Sequence, residues 1–177
     1  LGTYYFAFNA GLGIVSSLVG AFGTVSFPIL CGADASARAK ALARVVKAGA
    51  GLFVPLVALQ ALFAPFYVPL VFGAHWAFAA PLIAVLCIAG IANLATTVTA
   101  NWLRCRGKVG HDIGRSLITC GAALGGLYLG ALTGDLFWAV VGLVVGQSIV
   151  AFLHSFHVLR PAFGGRTTTL PSKEQFA

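Results

Sequence analysis

The sequence predicts an all-α transmembrane protein, a bundle of five membrane-spanning helices. Hydrophobic residues make up 59% of the 177-residue chain and charged residues only 8%, whereas an ordinary soluble domain has about 25% charged residues. Four long stretches contain no Asp, Glu, Lys or Arg, namely 1–33, 48–103, 116–134 and 136–159. The basic residues are confined to alternate connections between the predicted spans. Together these observations indicate a chain that is solvated by lipid.

The span boundaries follow from the length that a helix needs to cross a bilayer. Because about 20 apolar residues cover the hydrocarbon core, the uncharged run 48–103 must contain two crossings and a reversal. Pro69, Gly73, His75 and Trp76 supply the reversal, since Gly near Pro breaks a helix and Trp is an interfacial anchor. We expect spans at 4–31, 46–72, 77–103, 113–132 and 136–159.

The distribution of basic residues predicts the orientation. All eleven Lys and Arg residues lie after spans one, three and five or at their edges, and the connections at 73–76 and 133–135 contain none. The positive-inside rule assigns the basic side to the cytoplasm, so the N-terminus is predicted to be periplasmic and the C-terminus cytoplasmic. The transmembrane bundle then covers 1–160, and the polar segment 161–177, interrupted by Pro and Gly, is predicted to be a mobile cytoplasmic tail.

The net charge of +7 is therefore interpreted as a consequence of topology. The basic residues lie in short loops without interleaved aromatic residues, which disfavours nucleic acid as a partner. We expect these residues to contact the anionic headgroups of the phospholipid bilayer.

Two spans carry small and polar residues on one helical face. Thr24 belongs to this face in span one, and Thr96 and Thr97 belong to it in span three. The other polar members are Asn9, Ser16 and Ser17 in span one, and Asn93 and Asn101 in span three. One interpretation is close helix packing with hydrogen bonds across the contact. The other is a face that lines a hydrated cavity, which makes these five residues candidates for a substrate path.

Other features of the spans predict their shape and association. Pro55 lies inside span two and predicts a kink, which is either a hinge or only a bend. Gly pairs four residues apart indicate helix-association faces in spans four and five. These pairs are Gly121 and Gly125, Gly126 and Gly130, and Gly142 and Gly146.

The sequence predicts neither an enzyme nor a metal or cofactor site. His154 and His157 lie three residues apart, but no third ligand is evident. The sequence contains no phosphate-binding Gly-rich loop, no nucleophile elbow and no pair of carboxylates within a span. The cysteines show no paired spacing and are interpreted as free structural thiols, because the cytoplasm keeps thiols reduced. They are Cys31, Cys87, Cys105 and Cys120.

Five stretches follow one another in a characteristic order. The first, "GTYYFAFNAGLGIVSSLVGAFGTVSFPIL", opens with Gly-x-Tyr-Tyr and closes near Phe-Pro. It is followed by the basic amphipathic "ARAKALARVVK", then by "FAPFYVPLVFGAHW", "AAPLIAVLCIAGI" and "LRCRGK". This order, over about residues 2–108, resembles the C-terminal half of the polysaccharide flippases that export O-antigen and exopolysaccharide. These transporters belong to the multidrug/oligosaccharidyl-lipid/polysaccharide (MOP) superfamily.

The resemblance implies a fold and a function. The five spans would form most of the second lobe of a MATE-like MOP transporter, and the missing N-terminal lobe of the same protein would be its partner. The implied substrate is an undecaprenyl-diphosphate-linked oligosaccharide, moved across the bacterial inner membrane by alternating access. The chain contains no Met, which indicates a segment of a longer protein.

Two other functions stay open from the sequence. One is a cation-coupled multidrug exporter of the same superfamily, which would favour an acidic residue inside a span; the predicted spans contain none. The other is a non-transporting, truncated membrane protein. Members of the flippase family often carry a basic residue near the position of Asn9, and its absence here implies that the missing lobe binds the anion or that the substrate differs.

Overall fold

The computed structural model describes residues 2–34 and 36–163, and all regular structure in them is helical. The first helix runs unbroken from α1 through a π-helical turn (Asn9–Gly13) into α2, and a 3₁₀ turn (Ala74–Ala79) precedes α4. The bounds are α1 Gly2–Phe8, α2 Ile14–Cys31, α3 Arg38–Phe72, α4 Ala80–Cys105, α5 Val109–Ala131 and α6 Leu136–Phe163.

Four segments in the described residues are long and apolar enough to cross a membrane. They are Tyr4–Cys31, Arg38–Phe72, Ala74–Cys105 and Leu136–Arg160. These segments correspond to predicted spans one, two, three and five, and α3 extends span two back to Arg38, so that the basic amphipathic stretch and the span form one helix.

Helix α5 differs from the other four because it is less apolar. It contains 23 residues, among them Asp112, Arg115 and six glycines, and at about 1.5 Å per residue it is long enough to cross the hydrocarbon. The number of helices therefore agrees with the prediction, whereas the span 113–132 and the orientation of the termini stay predictions. The proposed tail lies outside the described residues from residue 164 onward.

Helix α4 is central, since it packs against the first helix, α3 and α6. Glycines bring it close to the first helix: a Cβ on Gly90 would overlap the Val15 side chain, and a Cβ on Gly11 would lie 3.0 Å from the Ile83 carbonyl oxygen. Small residues at such a contact let two helix backbones approach closely in lipid.

The outer surface of the bundle is apolar. Leu62, Phe66 and Leu70 on α3 are 71%, 71% and 85% exposed, and Leu117 on α5 and Leu153 on α6 are similarly exposed. In water such a surface would be an aggregation hazard. In a bilayer it is the side that faces acyl chains.

The predicted reversal between spans two and three is confirmed. Helix α3 ends at Phe72, Gly73 adopts φ 92°, and the Trp76 amide donates to the Gly73 carbonyl at 3.0 Å. The Trp76 ring lies 4.1 Å from the Phe6 ring, centroid to centroid, and stacks on Phe78. Trp76 thus joins the turn to the start of the first helix, and its position at a membrane interface stays a prediction.

The chain reverses at the opposite end between α2 and α3 and between α4 and α5, and α6 finishes there as well. We call this end, which carries the loop Lys and Arg residues, the basic end.

Two of the three Gly pairs form the contact between α5 and α6. A Cβ on Gly126 would overlap the carbonyl oxygen of Gly142, and one on Gly130 would overlap that of Trp138. A Cβ on Gly146 would overlap the carbonyl oxygen of Ala122. The pair Gly121 and Gly125 was wrongly assigned to such a face, because no atom of the described residues lies within 4 Å of a Cβ at either position.

Alanine substitutions test this contact. Gly126→Ala and Gly142→Ala should lower the free energy of unfolding by about 1–3 kcal/mol, because the new methyl group meets rigid backbone. Gly121→Ala is the matched control and should be neutral or stabilising by up to about 1 kcal/mol, since Ala is the better helix former. Unfolding of the detergent-solubilised protein measures the difference. Equal stability of all three variants would contradict the contact.

Candidate functional site

The five substrate-path candidates divide into two exposed residues and three that form hydrogen bonds between helices. Asn9 and Ser17 are exposed on the first helix, where the Asn9 amide donates to the Tyr5 carbonyl at 2.8 Å and the Ser17 hydroxyl to the Gly13 carbonyl at 3.0 Å. Thr24 lies about two turns after Ser17 on the same helix and is also exposed. These three residues lie on an otherwise apolar surface. We call them the polar stripe, which consists of Asn9, Ser17 and Thr24.

The other candidates hold helices together. The Asn93 amide of α4 donates to the Ser16 hydroxyl oxygen of the first helix at 3.0 Å. Asn101 is buried and donates to the Gly23 carbonyl at 2.8 Å and to the Ser26 hydroxyl oxygen at 3.1 Å. For these residues the contacts match the helix-packing interpretation. The helical period predicts that the candidates within each span share a face. It does not predict whether another helix covers that face.

Gln60 stabilises an irregular turn in the first helix. Its amide donates from α3 to the Ala10 carbonyl at 3.1 Å, within the π-helical turn Asn9–Gly13. A π turn interrupts the regular ladder of backbone hydrogen bonds, and Gln60 satisfies one carbonyl there. The turn begins at Asn9, the first residue of the polar stripe.

Pro55 lies on the exposed side of α3, and the helix continues through it from Arg38 to Phe72. A role for Pro55 as a hinge stays a prediction. His154 and His157 face no third ligand: in residues 2–34 and 36–163 no three His, Cys, Asp or Glu side chains form a group that could hold a metal ion.

An ionic group lies at the start of α5. Asp112 accepts from Arg115 Nη2 at 2.8 Å and from Arg104 Nε at 2.9 Å. The side chains of Asp112 and Arg115 are only 6% and 7% exposed, whereas that of Arg104 is 54% exposed. The sequence predicts Arg115 at the edge of a connection, but the structure places it nearly two turns inside a helix, where its guanidinium group donates to Asp112.

Arg115 also borders a cavity of about 450 Å³ between the first helix, α4, α5 and α6. The polar residues around this cavity are Asn93, Thr96, Arg115, Ser116, Thr119 and Gln147. We call it the Arg115 cavity. Of these residues only Asn93 is a predicted site residue. Thr96 lies on the same predicted face of α4, whereas the other four lie on α5 and α6, where the sequence predicts no polar face.

Two cysteines predicted to be free thiols form a disulfide bond. Cys31 at the end of α2 and Cys105 at the end of α4 are joined, with Cα atoms 5.0 Å apart, a separation typical of disulfides. Because the two cysteines are 74 residues apart in the sequence, the sequence does not indicate that they lie close together. Cys87 and Cys120 are free, as predicted.

The charge of Asp112 predicts a pH dependence of stability. Burial by itself raises the pKa of this carboxyl group, but the hydrogen bonds and charges of Arg115 and Arg104 outweigh burial, so the pKa is lowered. The contribution to stability is therefore full above the unfolded-state pKa of about 3.9 and is lost as the pH falls through the folded-state pKa.

Asp112→Asn should accordingly cost about 1–3 kcal/mol of unfolding free energy at neutral pH, and the difference from wild type should shrink below about pH 4. The control is Asp135→Asn, because exposed Asp135 accepts the Phe137 amide at 2.9 Å and Asn caps a helix equally well. A difference for Asp112→Asn that does not change with pH would contradict the ionic role.

Thiol counting tests both the disulfide and the predicted orientation. Protein oxidised in air should expose two thiols in denaturant, and four after reduction. If the basic end faces the cytoplasm, cells quenched with acid should yield four thiols, since that compartment keeps cysteines reduced. Cys105→Ser serves as the control, with three thiols under every condition. A disulfide already present in acid-quenched cells would argue against the cytoplasmic assignment.

No family model matches the chain, and no solved structure matches it. The chain is 28% identical over 98 residues to a protein of Klebsiella pneumoniae described as an uncharacterized membrane protein in cps region. That match covers 55% of this chain and 20% of the Klebsiella protein, so the chain spans about a fifth of its relative. Together with the four apolar helices, the similarity indicates a multi-pass membrane protein.

Proposed function

We propose that this chain is part of a polysaccharide flippase that translocates an undecaprenyl-diphosphate-linked oligosaccharide across the bacterial inner membrane. The observation that carries the proposal is the similarity to a membrane protein in a cps region, which we interpret as a capsule polysaccharide locus. The order of motifs over about residues 2–108, which resembles the MOP flippases, supports the same function.

The polar stripe of the first helix supports a transport role. Asn9, Ser17 and Thr24 are exposed on a bundle whose surface carries many large apolar side chains. Each of the three bonds to a carbonyl of its own helix, so none of them holds a second helix. Polar groups that face neither a partner helix nor the basic end are best accommodated beside water. A missing N-terminal lobe placed opposite this stripe would enclose a hydrated path.

Alternating access then follows from the way the bundle is built. The chain forms one lobe, and rocking of this lobe against the missing one would open the path first to the cytoplasm and then to the periplasm. In this mechanism the protein contributes no covalent chemistry. The oligosaccharide would contact hydroxyl and amide groups along the stripe, and its lipid tail would stay in the bilayer.

Complementation tests the proposed function. The full-length parent, expressed in a strain that lacks translocation of the repeat unit, should restore polysaccharide export. The double variant Asn9→Leu, Ser17→Leu of that parent should lower translocation about tenfold, because two groups that bond the substrate are lost. Val25→Leu, on the same helix and also exposed, adds bulk without removing a polar group and should export normally.

The outcomes separate two conclusions. Accumulation of lipid-linked sugar on the cytoplasmic face, despite normal expression of the parent, would refute the flippase proposal. If the parent exports and the double variant exports equally well, the flippase stands and the polar stripe is not its substrate path.

A further inference from the structure

The Arg115 cavity contains a buried positive charge whose bonding capacity is only partly used. Arg115 Nε and Nη2 donate to Asp112 at 3.3 and 2.8 Å, and Nη2 also lies 3.4 Å from the Ser116 hydroxyl oxygen. No described residue accepts a hydrogen bond from Nη1. A guanidinium group carries five N–H donors, and Arg115 lines the cavity, so its unused donors are available to an anion there.

The ionic group around Arg115 keeps a net positive charge. Asp112 is the single carboxylate between two guanidinium groups, those of Arg104 and Arg115. One negative and two positive charges leave one positive charge in excess. The arrangement orients Arg115 without neutralising the group, and it favours an additional anion at this end of the cavity.

The polarity of the cavity changes with depth. Helix α5 begins at the basic end with Val109. Its cavity residue nearest to that end is therefore Arg115, and Ala123 lies eight residues, about 12 Å, deeper. Helix α4 approaches the basic end, so Thr96 is its nearest cavity residue and Ala89 its deepest. The cavity is therefore charged and polar towards the basic end and lined by small apolar side chains towards the middle of the bundle.

Two amide groups lie between these ends. Gln147 lies one turn deeper on α6 than Ala151, which also lines the cavity, and its side chain makes no hydrogen bond to any residue that the structure describes. Asn93 uses one of its two amide N–H groups on Ser16, which leaves the other available. Both amides can therefore donate to neutral carbonyl oxygens below an anion that is bound at Arg115.

The mouth of the cavity opens to the surface of the bundle. Ser116 and Cys120, one turn apart on α5, line the cavity and are also exposed. The neighbouring Leu117 and Ile118 are 69% and 62% exposed and belong to the apolar outer surface. A ligand that approaches along this surface passes from acyl chains into the cavity without crossing water.

We propose that the Arg115 cavity binds the headgroup of an anionic phospholipid. The phosphate lies against Arg115, the ester carbonyls lie near Asn93 and Gln147, and the start of the acyl chains lies at the apolar inner end. A free phosphate would share the contact with Arg115 but would leave the amides and the apolar end unused. The proposal is independent of translocation, since any bilayer that contains anionic phospholipid supplies the ligand.

Native mass spectrometry of the full 177-residue chain in detergent tests the site. Phosphatidylglycerol should bind at least about tenfold more tightly than phosphatidylcholine with the same acyl chains, since the latter carries a compensating positive charge. The double variant Asp112→Asn, Arg115→Gln should weaken binding of phosphatidylglycerol about tenfold. This variant leaves the net charge unchanged, so a loss of affinity cannot come from general electrostatics.

A matched control makes the same exchange on exposed residues of the basic end. Arg106 and Asp34 are exposed and do not line the cavity, so Asp34→Asn, Arg106→Gln should keep the tight phosphatidylglycerol site and lose only the weak contact of Arg106 with surrounding headgroups. Two further variants keep the Asp112 charge and decide the question if the double variant does not fold. Gln147→Leu should weaken binding severalfold, and Arg115→Lys should also weaken it because Lys lacks the planar fork.

The outcomes are distinct. Wild-type affinity for phosphatidylglycerol in the folded cavity variants would overturn the site. Millimolar inorganic phosphate should leave the bound lipid in place; displacement by phosphate would show that the cavity takes a free anion and would overturn the lipid assignment. Neither result bears on complementation by the parent, so failure of this proposal and failure of the flippase proposal are distinguishable.

Discussion

The close contact between α4 and the first helix is the interaction on which the rest of the bundle depends. In lipid there is no hydrophobic gain from bringing two apolar helices together, so association relies on tight packing and on hydrogen bonds between helices. Gly90 allows tight packing because it leaves room for the Val15 side chain. Asn101 supplies a hydrogen bond between helices by donating to the Gly23 carbonyl. Helices α3 and α6 then pack on the remaining sides of α4, and α5 attaches through its glycine contact with α6.

This construction divides the polar residues of the spans into two populations. Asn101 and Gln60 are used as hydrogen-bond donors between helices, which a bundle in lipid requires for cohesion. Asn93 bonds to Ser16 with one amide N–H and also lines the Arg115 cavity. The polar stripe and the lining of the Arg115 cavity are not fully used in this way. Because polar groups in the membrane are costly unless they meet a partner, the second population is where ligand binding is to be sought. The stripe suits a large hydrated substrate, and the cavity suits a single anionic headgroup.

Features that depend on length and local composition were predictable. The uncharged run 48–103 required a reversal, and the structure makes it at Gly73. Gly126 and Gly142 were also predictable as members of association faces, because four-residue spacing of glycines marks a smooth helix face, but the sequence did not indicate that these two faces meet. The same spacing at Gly121 and Gly125 led to a wrong assignment, since a smooth face is necessary for close packing but does not ensure that another helix covers it.

The number of helices, the reversals between them and the common end of the loop Lys and Arg residues follow from the sequence, because bilayer thickness and charge act on each segment separately. The packing of the helices sets which polar faces are covered, brings Cys31 to Cys105 and places Arg115 inside the bundle beside a cavity. These features depend on the rotation and register of one helix against another. Helical periodicity describes a face on each helix, but the partner of that face is chosen by packing among all the helices at once.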